Sequence, residues 1–304
     1  MNRRTFLQAA GTGLVTASVT TAATTAAASP RQRAPFRLKY APHFGMFANH
    51  ASALVDQLQF AADQGFTAWE DNGMPGRDEA TQRQLAAKMQ QLGMTMGVFV
   101  ASADFGKATF AAGDAGHRER VLAEIEAACD LAARIDARWC TVVPGTFDHR
   151  LDPGFQTANV IDLLRRCCDV IARKQSDLVM VLEPLNRRDH PGLFLTGIPQ
   201  AFAICTAVDN PHCKILDDLY HQQISEGNLI PNLDRAFAHI AYFQVGDNPG
   251  RNEPGTGEIN YRRVFEHLHG KGYDGVVGME HGNARPGKEG ELALIAAYRD
   301  ADAW

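Results

Sequence analysis

Val179-Met180-Val181-Leu182-Glu183-Pro184-Leu185-Asn186 is an apolar run of strand length that closes on a carboxylate and stops at a proline. Such a run, bounded by a turn signal, reads as a buried strand. The pattern recurs downstream. Leu216-Asp217-Asp218-Leu219-Tyr220-His221, Tyr242-Phe243-Gln244-Val245-Gly246-Asp247 and Gly278-Met279-Glu280-His281 each end an apolar run on a polar side chain. Upstream, two further runs end near His43 and Glu70.

Working outward, the chain offers eight candidate strands, at 38–42, 68–70, 95–100, 139–143, 179–183, 214–217, 241–245 and 275–280. Amphipathic segments lie between them, at 52–64, 117–134, 157–174, 197–208, 261–270 and 289–298. Gly65, Gly93 and Gly272 stand where helices should stop. Residues 225–238 form the weakest unit, interrupted by Gly227, Asn228 and Pro231. Strands alternating with helices imply parallel pairing through right-handed crossovers. Eight units make the expected fold a single (β/α)8 TIM barrel. A doubly wound sheet would carry a glycine-rich turn after an early strand, and none is present.

The N-terminus is of another kind. Arg3-Arg4-Thr5-Phe6-Leu7 precedes a long Ala, Thr and Gly stretch with no charge until Arg31. A basic start, a mildly apolar middle and a small-residue end read as an export signal of the twin-arginine type. Residues 1–30 are therefore expected to be an address, residues 35–304 the barrel domain, and the protein periplasmic or otherwise exported. The whole chain has 304 residues, a net charge of −5, 45% hydrophobic and 21% charged residues. That composition excludes a disordered or collagen-like chain. Mild acidity gives no sign of a nucleic-acid partner. No stretch reaches ~18 apolar residues, so no stable membrane insertion is expected. The six cysteines form no CxxC pair, so they read as small buried hydrophobes rather than zinc ligands. Homo-oligomerisation is left open.

In a barrel of this kind the C-terminal strand ends carry the active site. Glu183, one of Asp217 and Asp218, Gln244 and Glu280 end four consecutive strands. Each alone reads as a cap, a surface charge or a hydrogen-bonding filler. Together, three carboxylates in one mouth repel and raise each other's pKa, a cost that a divalent cation removes. All-oxygen ligation favours magnesium or manganese over zinc and leaves calcium open.

These residues resemble those of the xylose-isomerase-like barrel superfamily, and within it the hydroxypyruvate isomerase group. The matching segments are Leu182–Asn186, Asp218-Leu219-Tyr220-His221, Phe243–Asp247, Gly278-Met279-Glu280 and, most specific, Glu253-Pro254-Gly255-Thr256-Gly257-Glu258-Ile259-Asn260. The resemblance implies one divalent metal ion, Mg or Mn, held by Glu183, Asp218, Gln244 and Glu280. It makes Glu183 and Glu280 the catalytic acid–base pair, and His221 and Arg251 contacts for substrate oxygens. Glu70 and His43 sit where the far end of a substrate would lie. The implied reaction isomerises an α-hydroxycarbonyl compound through an enediolate, as in hydroxypyruvate to tartronate semialdehyde or a related sugar or keto acid. Two rivals share the scaffold: a sugar epimerase or β-eliminating lyase, and a non-catalytic periplasmic sugar-binding protein.

Overall fold

A computed structural model describes residues 33–304; the expected export signal at 1–30 lies outside the described residues. The strands among those residues are β1 Lys39–Ala41, β2 Ala68–Trp69, β3 Thr95–Met96, β4 Phe99–Ala103, β5 Trp139–Val143, β6 Val179–Leu182, β7 Cys213–Asp218, β8 Ile240–Gln244 and β9 Val276–Gly278. Every pairing is parallel. One sheet runs β1-β9-β8-β7-β6-β5-β4, and β2 pairs with β3. A parallel bridge from His43 to Glu70 joins the ends of β1 and β2. Since β3 continues into β4 through Gly97 and Val98, the curled sheet closes on itself, and the expected α/β barrel is observed.

The third strand departs from expectation. Residues 95–100 read as one strand, yet the chain breaks at Gly97 into β3 and β4. A Cβ at Gly97 would lie 2.4 Å from the Tyr242 hydroxyl oxygen, so the backbone gives way where that side chain crosses the barrel.

The helices are α1 Leu54–Asp63, α2 Glu79–Leu92, α3 Ala115–Ile135, α4 Pro153–Arg173, α5 Ile198–Val208, α6 Leu219–Ser225, α7 Leu229–Ala236, α8 Tyr261–Gly270 and α9 Gly287–Ala301. Their termini follow local chemistry. Asp114 accepts from the His117 N–H at 2.8 Å and caps α3, a contact worth ~1 kcal/mol. Gly93 ends α2 in the left-handed region, at φ 66°, as its place in the sequence suggested. The weak unit at 225–238 forms the short α7. Helix α2 itself was not among the expected segments. Only Gln82, Leu85 and Met89 of its fourteen residues are buried, which leaves little apolar periodicity to read.

Two apolar layers hold the fold. The larger lies between strands and helices and includes Leu58, Phe99, Ile125, Leu164, Phe243 and Ile295. The smaller fills the barrel: Ala41, Ala68, Val98, Trp139, Val181, Leu216, Tyr242 and Val276, one from each barrel position. Side chains along a strand point alternately to the two faces. Two residues beyond this floor come His43, Glu70, Glu183, Asp218, Gln244 and Gly278. The strand period therefore lifts the polar residues onto one layer above an apolar one.

All six cysteines are buried and free, as expected of small hydrophobes. Trp69 and Trp139 are core residues. Buried Glu291 on α9 accepts from the backbone N–H groups of Asn49 and His50 and from the Asn49 amide, tying the first loop of the mouth to the last helix. No helix among the described residues is long and apolar enough to cross a membrane.

Candidate active site

Ligating atoms of Glu183, Asp218, His221 and Glu280 all lie within 4.8 Å of one another. Three strands and one short helix bring them there. Glu183 directly follows β6, Asp218 ends β7, His221 lies one turn into α6, and Glu280 follows β9. Asp218 serves twice: its Oδ1 accepts from the Tyr220 N–H at 2.8 Å and caps α6, while its Oδ2 faces Arg251 at 3.2 Å. The capping and site roles are thus carried by different oxygens. Asp217 points the other way; it is buried outside the cluster, neither carboxylate oxygen has a partner, and burial pushes its pKa well up. The cluster contains Asp218, the member of the pair that the resemblance selected.

The electrostatics follow from crowding. Burial, then the charges of Glu280 and Asp218, hold the Glu183 carboxyl well above the ordinary carboxylate range. Burial pushes Glu280 up to about 7, against the pull of Arg251. The Arg251 Nη2 donates to Glu280 Oε2 at 2.5 Å, and its guanidinium lies 4.8 Å from the Tyr220 ring centroid.

The loop that carries Arg251 is built around one buried carboxylate. Asp247 Oδ1 accepts from the N–H groups of Asn248 at 2.9 Å and Ile259 at 3.1 Å. Its Oδ2 accepts from those of Gly255 at 2.8 Å and Gly257 at 2.9 Å. A Cβ at Gly257 would lie 2.3 Å from the Asn248 carbonyl oxygen. The Glu-Pro-Gly-Thr-Gly-Glu-Ile-Asn run is therefore a turn-shaping sequence wrapped on Asp247.

His221 has a defined proton. The Asn186 side-chain oxygen accepts from the N–H groups of Arg188 and Asp189, so its amide nitrogen faces His221 Nδ1, at 2.7 Å. Nδ1 must accept, which places the proton of the neutral ring on Nε2. Burial lowers the ring's pKa to about 4 and keeps it neutral. The buried Nε2–H has no hydrogen-bond partner and is available as a donor within the cluster.

Gln244 lies on β8, between the Asp218 and Glu280 strands. Its Nε2 donates to Glu70 Oε1 at 2.9 Å, and its buried Oε1 has no partner. Glu70 is itself engaged: Tyr242 Oη donates to its Oε2 at 2.8 Å, and Asn72 Nδ2 donates to its Oε1 at 3.3 Å. Burial and Glu280 raise its pKa to about 8, against the lowering effect of the Tyr242 and Gln244 hydrogen bonds. Both Glu70 oxygens thus face protein groups below the mouth. His43 lies beside it, each ring nitrogen near a main-chain carbonyl oxygen, of Phe44 at 3.0 Å and His281 at 3.2 Å.

A Cβ at Gly278 would fall 2.0 Å from Glu70 Oε2. Gly278→Ala should therefore cost about 1–3 kcal/mol of stability, as overpacking does. Gly270→Ala, where a Cβ meets nothing within 4 Å, should not; paired thermal melts compare the two.

Several site residues escaped the sequence reading. Asn72, Asn186 and Tyr242 act through partners distant in sequence. His190 read as a solvated loop histidine, yet its ring lies 5.4 Å from that of His221; its place just after the Glu183-Pro184-Leu185-Asn186 strand end was the available signal.

A family model described as "Xylose isomerase-like TIM barrel" matches residues 58–300. The chain belongs to the xylose isomerase-like TIM barrel family. Among curated members, it is 30% identical over 266 residues to 2-oxo-tetronate isomerase of Cupriavidus necator, covering 86% of this chain and 98% of that protein. It is 37% identical over 124 residues to hydroxypyruvate isomerase of Escherichia coli, an alignment that covers 41% of this chain and about half, 47%, of that enzyme. A solved structure, described as AP endonuclease, family 2, from Brucella melitensis, superposes with a TM-score of 0.73 at 26% identity. That match covers 86% of this chain and 99% of the other. Both of these curated relatives are named as isomerases.

Proposed function

We propose that this xylose isomerase-like protein interconverts a small α-hydroxycarbonyl acid, of the hydroxypyruvate or 2-oxo-tetronate kind, by moving a proton between adjacent carbons through an enediolate. The observation that carries the reading is the convergence of Glu183, Asp218, His221 and Glu280 within 4.8 Å, on a chain whose relatives are named for that class of isomerisation.

The residues also fit a divalent cation. Three carboxylates, with the buried, unpartnered oxygen of Gln244, make an all-oxygen donor set suited to Mg or Mn. Glu183, Asp218, Gln244 and Glu280 would hold it. When bound, it would supply positive charge for the substrate oxygens as the neighbouring carbon loses its proton. Glu183 and Glu280 take and return that proton. His221 Nε2–H and the Arg251 guanidinium donate to substrate oxygens, Arg251 being able to pair with a carboxylate. Glu70 and His43 shape the layer beside the far end of the substrate. An intact carboxylate pair is chemistry that a pure sugar-binding protein does not need.

The test is proton NMR in deuterated water with hydroxypyruvate and 2-oxo-tetronate. Solvent deuterium should enter at carbon as the isomer forms. Formation of an epimer or an elimination product instead would move the assignment to the epimerase or lyase reading, and no turnover of any carbonyl acid or keto sugar would overturn it.

Metal uptake should be linked to pH. Glu280 is raised from its ordinary 4.5 to about 7, and Glu183 is raised as well. The metal-free fold therefore binds more protons than the unfolded chain between those values, and its stability should fall as pH rises from about 4.5 toward 7. A cation requires the ionised forms, so its affinity should rise over the same window, with proton release on binding. Calorimetry in buffers of different ionisation enthalpy measures both, and about one Mn ion per chain is expected. Affinity independent of pH would exclude these carboxylates as ligands.

We propose further that residues 1–30 act as a twin-arginine-type export address. The Arg3-Arg4-Thr5-Phe6-Leu7 start supports this, and cell fractionation with and without an Arg3→Lys, Arg4→Lys change tests it.

A further inference from the structure

Gln244 differs from the carboxylates of the cation site, because an amide has two unlike ends. One is an acceptor that can ligate; the other is a donor that would repel a cation. Crowding alone does not choose between them, since the two ends have nearly the same size. Something must select the orientation, and among the described residues it is Glu70. Its Oε1 accepts from Gln244 Nε2 at 2.9 Å and thereby leaves the Gln244 oxygen buried, unpartnered and turned away from Glu70.

The surroundings are fitted to this contact. Tyr242 Oη and Asn72 Nδ2 also donate to Glu70, and Asn72 Nδ2 reaches Glu280 Oε1 at 3.2 Å as well. Glycine occupies both places where a side chain would obstruct the arrangement. A Cβ at Gly278 would strike Glu70 Oε2, and one at Gly97 would strike Tyr242 Oη. Strand β9 and the β3–β4 junction thus both yield space to one carboxylate and its phenol.

We propose that Glu70 is a positioning residue that fixes the Gln244 amide, so that its oxygen is the end offered to a divalent cation beside Glu183, Asp218 and Glu280. This rests on the cation reading given above. It assigns Glu70 to the support of the centre rather than to contact with substrate. An outer partner that orients a metal ligand typically changes affinity 10- to 100-fold when removed.

The test measures Mn2+ affinity of the full chain by calorimetry for the wild type, Glu70→Leu, Glu70→Gln, Gln244→Ala and the Glu70→Leu/Gln244→Ala pair. Thermal melts of the metal-free proteins serve as the folding control. Glu70→Leu keeps the volume but removes the acceptor, and should weaken Mn2+ binding about 10- to 100-fold. Glu70→Gln can accept from Gln244 but can also donate to it, so it should recover only part of that loss. In the Gln244→Ala background, Glu70→Leu should have little further effect, because its route to the metal is gone.

Equal Mn2+ affinity for wild type and Glu70→Leu, with Gln244→Ala weakened, would overturn the positioning role and leave the cation centre standing. Equal weakening by Glu70→Leu with and without Gln244 would overturn it too. Absence of Mn2+ binding by the wild type would overturn both this inference and the centre on which it rests.

Discussion

Replacing Glu280 with Gln should lower substrate-dependent exchange of the carbon-bound proton with solvent by about 10²- to 10⁴-fold, the usual contribution of a positioned acid–base group. The change is nearly isosteric. An amide oxygen can still accept from Asn72, which now donates to Glu280 Oε1. It cannot take a proton near neutral pH. The charge partner of Arg251 is reduced to Asp218, at 3.2 Å, so substrate affinity should change far less than turnover. Proton NMR in deuterated water reads the exchange directly, and thermal melts together with Mn content show whether fold and metal survive. Exchange at the wild-type rate would remove Glu280 from the chemistry.

Asp247→Ala should be the most damaging change outside the carboxylate cluster. It deletes the acceptor of four backbone N–H groups, those of Asn248, Gly255, Gly257 and Ile259. Each buried donor left unpaired costs about 1–3 kcal/mol. Water reaching part of a freed loop offsets some of that, so a net loss of about 3–5 kcal/mol is expected. The loop also carries Arg251, whose backbone N–H is bonded to the Asp247 carbonyl at 2.8 Å. A guanidinium displaced by an ångström is enough for about 100-fold in kcat/KM. Asp247→Asn keeps one acceptor oxygen and should fall between. Denaturant melts and steady-state kinetics report the two effects separately. An Asp247→Ala protein with wild-type stability and kcat/KM would show that the loop holds itself.

Much of this was legible in the sequence, because local chemistry and global fold agree here. Apolar runs ending in Glu183, Asp218, Gln244 and Glu280 mark strand ends without any knowledge of pairing, and the barrel then brings those ends together. What stayed hidden depends on register across closure. Glu70 meets Tyr242 and Gln244 from 172 and 174 residues away, brought near by the His43–Glu70 bridge together with the β1–β9 and β9–β8 pairings. That Glu70 turns both oxygens to protein donors was therefore not visible in the strand pattern. The break at Gly97 was invisible for the same reason, being caused by a tyrosine from the opposite part of the chain. Asp247 was quoted within a motif, but four N–H groups converging on one side chain leave no periodic trace. Helix α2 was missed for lack of apolar residues, although Gly93 had already marked its end.

The apolar floor has a consequence for traffic. Ala41, Ala68, Val98, Trp139, Val181, Leu216, Tyr242 and Val276 close the barrel beneath the carboxylates, so the site has one doorway. Whatever leaves after the reaction must cross the same opening as whatever arrives. Under the proposed isomerisation, two isomers that differ only in where a proton and a carbonyl sit would then contend for one passage and one set of donors, and accumulated product would occupy the place the next substrate needs.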